Sequence, residues 1–410
     1  MKYNVWNKWG KLKAVMLGQC YHPDFFRDIK QTKIKDALMK IAEETQEDLE
    51  NYAKILKDFG CDVIRPNLDI NDSIMNHINF DGKIKGKQGV PRSPLQPRDG
   101  QLVIGNEMFY TLYGEHPSIK NTLDSYKKSD RSLIIDDPIK HHPLLDRNTF
   151  DNIKGVDWLS YDDYLKENYF DIVPTFVRDE LRGLKYIYDI CAASMTVIGR
   201  DLYVDASQHG NITQKDPRII EVVKKHLEQE LGQDQYRINM LSHGGHSDGC
   251  FHALKPGALL SLHKIQKYND TFPGWDVCYL PDQSWDLISD FLLLKEKVAG
   301  KWWVPGEEGN DELTYFVETW LQDWVGYVEE TVFDVNVLML DERHVCVTNY
   351  NETSFKFFKK HNIEPIIVPW RHRFFWDGGL HCITLDLIRE GTQEDYFPDR
   401  FGPINDRGFD

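Results

Sequence analysis

The 410-residue chain carries 49 Lys and Arg against 65 Asp and Glu, a formal net charge of -16, and 41% of its residues are hydrophobic. That acidity argues against a nucleic-acid or anionic-membrane partner, since either needs a clustered basic surface. No apolar run approaches the roughly 18 residues of a membrane span, and the start MKYNVWNKWGKLKAVMLG is too polar for a signal-peptide core. Seven scattered cysteines, odd in number and without C-x-x-C spacing, point to reduced thiols in a cytoplasmic compartment.

Leu12–Gly18 (LKAVMLG) reads as a first strand, followed by a helical pattern over Lys33–Phe59 and polar loops near 81–98. Four segments then repeat one plan: Gln101–Tyr110, Met195–Asp205, His252–Leu262 and Val335–Val347. Each is an apolar run, a tight-turn group and a second apolar run, which is the pattern of a β-hairpin. Helical patterns fall between them, over Asp216–Leu231, Trp285–Ala299, Glu312–Glu329 and Thr353–His361. Leu380–Leu387 offers a partner for the first strand. Four hairpins and one unit closed by the two ends make five α/β units. Repetition of this kind suggests a closed, propeller-like ring rather than a parallel doubly wound sheet. Periodicity alone leaves an α+β protein with unrelated hairpins as an equal alternative.

No linker divides the chain, so one domain over 1–410 is expected, with a helical, Trp-rich insertion near 283–330. Trp285, Trp302, Trp303, Trp320 and Trp324 fall in that insertion. Tryptophan at helical spacing means core or interface more often than a ligand box, and a lid or subunit contact is the expectation.

Reactive side chains recur at the start of each unit: Asp99, then Asp189 with Cys191, His246 with Asp248, Asp334, and Cys382 in the closing strand. Under pseudo-rotational symmetry these positions converge on one axis, and Asp334 joins the site on this ground. The stretch SHGGHSDGC, 242–250, admits three chemistries. As a G-x-S-x-G nucleophile elbow it lacks the helix that must follow the serine, because CFHALKPGALLSL reads as a hairpin. As a metal site it offers His243, His246 and Asp248 but no further ligand motif, so no metal is expected. In the third reading His246 is an acid/base and Asp248 a substrate-binding carboxylate, side by side at i and i+2 of an extended segment. Both would serve a nucleophile elsewhere. Cys382, in FWDGGLHCITLDL, is that nucleophile if its thiol is activated.

WNKWGKLKAVMLG, QPRDGQLVIGNE, IGRDLYVDASQ, HSDGCF, NVLMLDERHV and GGLHCITLDLIREG, in this order, resemble the arginine:glycine amidinotransferases of the guanidine-modifying pentein superfamily over nearly the whole chain. The resemblance implies a five-bladed α/β propeller, the pentein fold. It also implies a cofactor-free transfer of the amidino group of L-arginine to an amine acceptor, releasing ornithine. Cys382 would form an amidino-cysteine, His246 would shuttle protons, and Asp99 and Asp248 would grip the guanidinium. Two departures stand out. Where the family places an Asp to orient the His, this chain has Cys191, and Asp189 two residues earlier is the expected substitute. Where glycine-using members carry an Arg for the acceptor's carboxylate, Ile265 stands with Lys264 beside it, which argues against glycine and leaves Lys264 as the acceptor contact. A homodimer is the expected assembly. The alternatives are an arginine deiminase-like hydrolase and a catalytically weak arginine-binding protein.

Overall fold

The structure, a computed structural model, describes residues 2–78, 90–110, 116–125, 130–132, 192–205, 235–241, 246–262, 268–280, 309–321 and 333–400, with 304, 306, 307, 324, 402 and isolated positions within 224–232. The described strands form five three-stranded sheets. The first joins β1 (Leu12–Leu17) to β2 (Asp62–Ile64) and to β15 (Thr384–Arg389). The second holds β3 (Gln101–Ile104), β4 (Glu107–Tyr110) and β5 (Asp130–Ser132), and the third β6 (Met195–Ile198), β7 (Asp201–Asp205) and β8 (Arg237–Leu241). The fourth holds β9 (Phe251–Lys255), β10 (Ala258–Leu262) and β11 (Asp276–Leu280), and the fifth β12 (Leu338–Asp341), β13 (His344–Val347) and β14 (Glu364–Ile367).

All five obey one rule. The central strand pairs antiparallel with one neighbour and parallel with the other. Antiparallel pairs close through a tight turn, whereas parallel pairs need a crossover. Crossover helices at Thr32–Asp58, Pro117–Ser125 and Glu352–Lys360 therefore lead into β2, β5 and β14. The four expected hairpins are present, and the first and last strands pair as expected, Leu17 opposite Thr384. The third, parallel strand of each sheet is a finding of the structure, since short strands such as Asp62–Ile64 carry no turn signal of their own.

Shared apolar cores join the first sheet to the second, the third to the fourth, the fourth to the fifth and the fifth to the first. Val103 and Met108 of the second sheet pack with Met16 and Leu385 of the first. Tyr203 of the third packs with Phe251 and Leu259 of the fourth, and Leu254 and Leu260 pack with Met339 and Val345 of the fifth. Leu338 and Leu340 of the fifth sheet in turn share a core with Leu12 and Val15 of the first. The long helix Thr32–Asp58 buries Ile34, Ala37, Leu38, Ile41, Leu49, Tyr52 and Leu56, a stripe at three- and four-residue spacing.

The helix expected over Glu312–Glu329 covers Asp311–Trp320, with Leu321 already outside it. The chain turns there so that Leu321 and Trp324 both reach full burial. Trp324 stacks on Trp376 at 5.8 Å and on Tyr21 at 5.6 Å, and its Nε1 donates to the Val90 carbonyl at 3.0 Å. For this residue the expectation of a lid or subunit contact gives way to a core role. Residues 281–303, with Trp285, Trp302, Trp303 and the Trp285–Ala299 pattern, lie outside the described residues, as does most of Asp216–Leu231.

Truncating a fully buried Trp removes a large apolar area and leaves a cavity. Trp324→Ala is expected to lower unfolding free energy by about 3–5 kcal/mol in urea titration. Tyr315→Ala, on the same segment but 71% exposed, should stay near wild type.

Candidate active site

Cys382 sits two residues ahead of β15, at the end of a loop fixed from several sides. Trp370 Nε1 donates to the Gly378 carbonyl at 2.8 Å, and Gln96 Nε2 donates to the carbonyls of Trp376 and Asp377 at 2.7 and 2.8 Å. Arg98 Nε donates to the His381 carbonyl at 3.0 Å. The segment QPRD, singled out in the sequence for Asp99 alone, thus binds the cysteine loop through Gln96 and Arg98. The carboxylate of Asp99 is buried, 3.9 Å from Arg92, and its carbonyl accepts from the Ala192 N–H at 2.8 Å.

Ser247–Cys250 forms one helical turn, with His246 as its extended N-cap residue and Asp248 in the first turn. This corrects two expectations: 246–248 is not a straight extended segment, and helix does follow His246, though only four residues of it before β9. The sign of the carboxylate suits the position, because the N-terminal end of a helical turn carries unpaired N–H groups. Ser247 is spent on packing, with Oγ donating to the Ala193 carbonyl at 2.9 Å. Its side chain is buried.

The turn delivers Asp248 to the cysteine. Cys382 Sγ lies 3.6 Å from Asp248 Oδ2, and that same oxygen accepts from His381 Nδ1 at 2.7 Å. Asp248 Oδ1 has no hydrogen-bond partner among the described residues. Asn336 closes the cluster: its Nδ2 donates to Cys382 Sγ at 3.0 Å and to the Asp248 carbonyl at 3.2 Å. Its Oδ1 accepts from the backbone N–H groups of His381 and Cys382 at 2.9 and 3.1 Å. His246 is buried on the same turn as Asp248.

Burial pushes the Asp248 carboxyl up, but the hydrogen bond from His381, with the positive field of Arg98, outweighs it and holds the group at about 2. His381 is held neutral, well below the usual histidine range, by burial and by Arg98, so it serves Asp248 as an Nδ1–H donor without a charge. His252 meets His381 edge to face at 4.9 Å and is likewise kept neutral by burial, aided by Lys8. Burial and Arg98 bring Lys8 itself down to about 7.

Of the residues expected in the site, Cys382 and Asp248 meet directly. Asp334 does not share their hydrogen bonds in the structure: its carboxylate accepts from Asn351 Nδ2 at 2.9 Å, and Asn351 caps the helix Glu352–Lys360. Asp189, Cys191, His243, Lys264 and Ile265 lie outside the described residues. Sequence reasoning missed Asn336, His381, Gln96 and Arg98, although each lies inside a motif it quoted. No group of three or more His, Cys, Asp or Glu suited to a metal ion occurs among the described residues, and none of the described helices is long and apolar enough to cross a membrane.

No family model matches the chain. It is 27% identical to the mitochondrial glycine amidinotransferase of Xenopus laevis over 86% of this chain and 71% of that protein, and 26% identical to that of Gallus gallus over 96% and 84%. An L-arginine:L-lysine amidinotransferase of Pseudomonas savastanoi pv. phaseolicola is 29% identical over 210 residues, which span 50% of this chain and 46% of that relative. The inosamine-phosphate amidinotransferase of Streptomyces griseus superposes with a TM-score of 0.58 at 18% identity, covering 97% of this chain and 99% of its own. An amidinotransferase of the saxitoxin biosynthetic pathway from Microseira wollei gives 0.57 at 19%, covering 96% and 99%. The chain, with a cysteine, a carboxylate and a histidine joined just ahead of β15, is therefore similar in sequence and fold to amidinotransferases. These are transferase enzymes.

Stability should track the two neutral histidines. Their folded pKa values lie below the unfolded value near 6.5, so the unfolded chain binds protons there first. Stability is then complete above about pH 6.5 and falls as pH drops. Each such group contributes up to about 1.4 kcal/mol per pH unit. In urea titrations between pH 7 and 5, His252→Gln is expected to flatten the slope by about one proton; an unchanged slope would mean that His252 is charged in the fold.

Proposed function

We propose that the chain transfers the amidino group of L-arginine to an amine acceptor through Cys382. The observation that carries this reading is the 3.6 Å approach of the Cys382 sulfur to the ionised Asp248, on the turn that also holds His246. A planar guanidinium suits such a carboxylate, and Asp99 is the proposed second one.

In the proposed sequence the Cys382 thiolate attacks the guanidinium carbon and forms a C–S bond. The C–N bond to the side chain then breaks, and His246 gives the leaving amine its proton, releasing ornithine. The acceptor amine next loses a proton to His246 and attacks the amidino-cysteine. The C–S bond breaks and the thiolate returns. Asp189 is the proposed orienting partner of His246, with Lys264 toward the acceptor and Asp334 nearby. The departure at Ile265 favours an acceptor other than glycine.

The wider proposal includes a single domain whose five sheets close into a five-bladed α/β propeller with pseudo-five-fold symmetry. It is supported by the common strand rule and by the core that the fifth sheet shares with the first. A homodimer and a cytoplasmic location complete it.

Intact-protein mass spectrometry after incubation with L-arginine and no acceptor tests the chemistry. One added amidino group and free ornithine are expected for wild type, and neither for Cys382→Ala. Citrulline without an adduct would instead indicate a hydrolase, and bound arginine without product a binding protein. Asp99→Asn and Asp248→Asn, each removing a charge-assisted contact, should lower kcat/KM for arginine by about 100-fold, or about 2.7 kcal/mol.

A further inference from the structure

The amide of Asn336 spends both ends on the Cys382 loop and the neighbouring turn. Oδ1 receives the N–H groups of His381 and Cys382, while Nδ2 gives its hydrogens to Cys382 Sγ at 3.0 Å and to the Asp248 carbonyl at 3.2 Å. A flipped amide would face two N–H donors with its NH2 group and lose all four contacts, so the network fixes its orientation. The side chain is buried, and it fits only because residue 379 is glycine: a Cβ there would stand 2.6 Å from Asn336 Oδ1.

The sulfur of Cys382 therefore lies between groups of opposite effect. Asp248 Oδ2, at 3.6 Å, takes the thiol hydrogen and opposes negative charge on sulfur. The Asn336 Nδ2–H donates to the sulfur and favours the charge. Given the nucleophilic role of Cys382 proposed above, on which this rests, we infer that Asn336 is a further catalytic residue. Its Oδ1 fixes the backbone that carries the thiol, and its Nδ2–H stabilises the thiolate against the adjacent carboxylate.

Asn336→Asp separates the two roles. It keeps an oxygen for both backbone N–H groups but replaces the donor facing sulfur with a second carboxylate oxygen. Asn336→Ala removes both contacts, and Gly379→Ala displaces the amide without altering its chemistry. The readout is the rate of Cys382 alkylation by iodoacetamide from pH 5.5 to 10, followed on the Cys382 peptide by mass spectrometry with Cys382→Ala as control. A sulfur–carbon bond forms and iodide leaves, so the rate follows the thiolate fraction. In the free enzyme the thiol proton goes to buffer.

The expected result is a midpoint raised by about one pH unit in Asn336→Ala and by more in Asn336→Asp, slowing alkylation below the midpoint about tenfold. Gly379→Ala should move it the same way. Midpoints that match wild type in these variants, even with lowered melting temperatures, would reduce Asn336 to a structural clamp and overturn the inference. If Asn336→Ala does not fold, Asn336→Asp and Gly379→Ala decide. Alkylation also separates this inference from the proposed reaction. Shifted midpoints without an amidino adduct would sink the transferase reading alone, and an adduct with unshifted midpoints would sink only the role of Asn336.

Discussion

Leu12–Leu17 lies antiparallel to Thr384–Arg389, so the two ends of the chain complete one sheet. The residues just before β1 extend that junction across the molecule. Asn4 Nδ2 donates to the Arg389 carbonyl at 2.6 Å, and Val5 exchanges backbone hydrogen bonds with Gly105. The Trp6 carbonyl accepts from Gly199, and Trp9 packs against Trp275 and Tyr396. Gly105 and Gly199 take positive φ at hairpin turns, and a Cβ on Gly105 would stand 2.7 Å from the Trp6 ring. The N-terminal strap therefore needs those glycines as much as the turns do. Because loop-closure entropy grows only slowly with length, a pairing across most of the chain is sustained by burial, and every residue of β1 but one is buried. Cys382 inherits its position from this junction.

Under the cysteine loop runs a layer of buried charge. Arg98 reaches Asp386 Oδ1 at 3.4 Å, and Arg389 Nε donates to Asp386 Oδ2 at 3.0 Å. Burial opposes ionisation of Asp386, but Arg389, Arg98 and Lys8 together hold its carboxyl well below the usual range. Arg389 also donates to the carbonyls of Gly10 and Met339, tying the first strand's entry to the fifth sheet. A lone buried charge is strongly destabilising, whereas a layer in which each carboxylate meets guanidinium or amide donors is tolerated. Burial together with these cations brings Lys8 down to about 7 and holds the two histidines neutral. The hydrogen bond from His381 and the field of Arg98 keep Asp248 ionised beside a thiol.

What the sequence disclosed was local. Hairpins declare themselves through alternation and a turn group within ten residues, and the end strands through matching apolar runs. The parallel third strands declare nothing, because three or four residues such as Asp62–Ile64 gain strand character only from a partner reached through a crossover. The candidate site divides the same way. Cys382 and Asp248 were legible from residue type beside glycine, whereas Asp334 was expected only from its place in the repeat. The structure turns Asp334 toward a helix cap, since repeat position does not fix side-chain direction. Asn336, His381, Gln96 and Arg98 act across 46 to 283 residues of separation, at distances that no spacing rule reaches. Their only trace was membership of the segments NVLMLDE, GGLHC and QPRD.

Trp324 shows how core packing reaches the site. Trp324 stacks on Trp376, whose carbonyl accepts from Gln96 and Arg92. Trp376 Nε1 donates in turn to Thr45 Oγ1 on the long first helix at 2.8 Å. The next residue, Asp377, takes the left-handed backbone conformation that reverses the chain into Gly378 and Gly379. A non-glycine residue in that region is held there by its surroundings, and here the surroundings are the stacked indoles on one side and Gln96 on the other. The aromatic stack thus sets the angle at which the chain enters the two glycines. The second of them, Gly379, admits the Asn336 amide, and the amide sets where the sulfur stands. Tryptophan packing more than five residues away in sequence is in this way a determinant of thiol geometry.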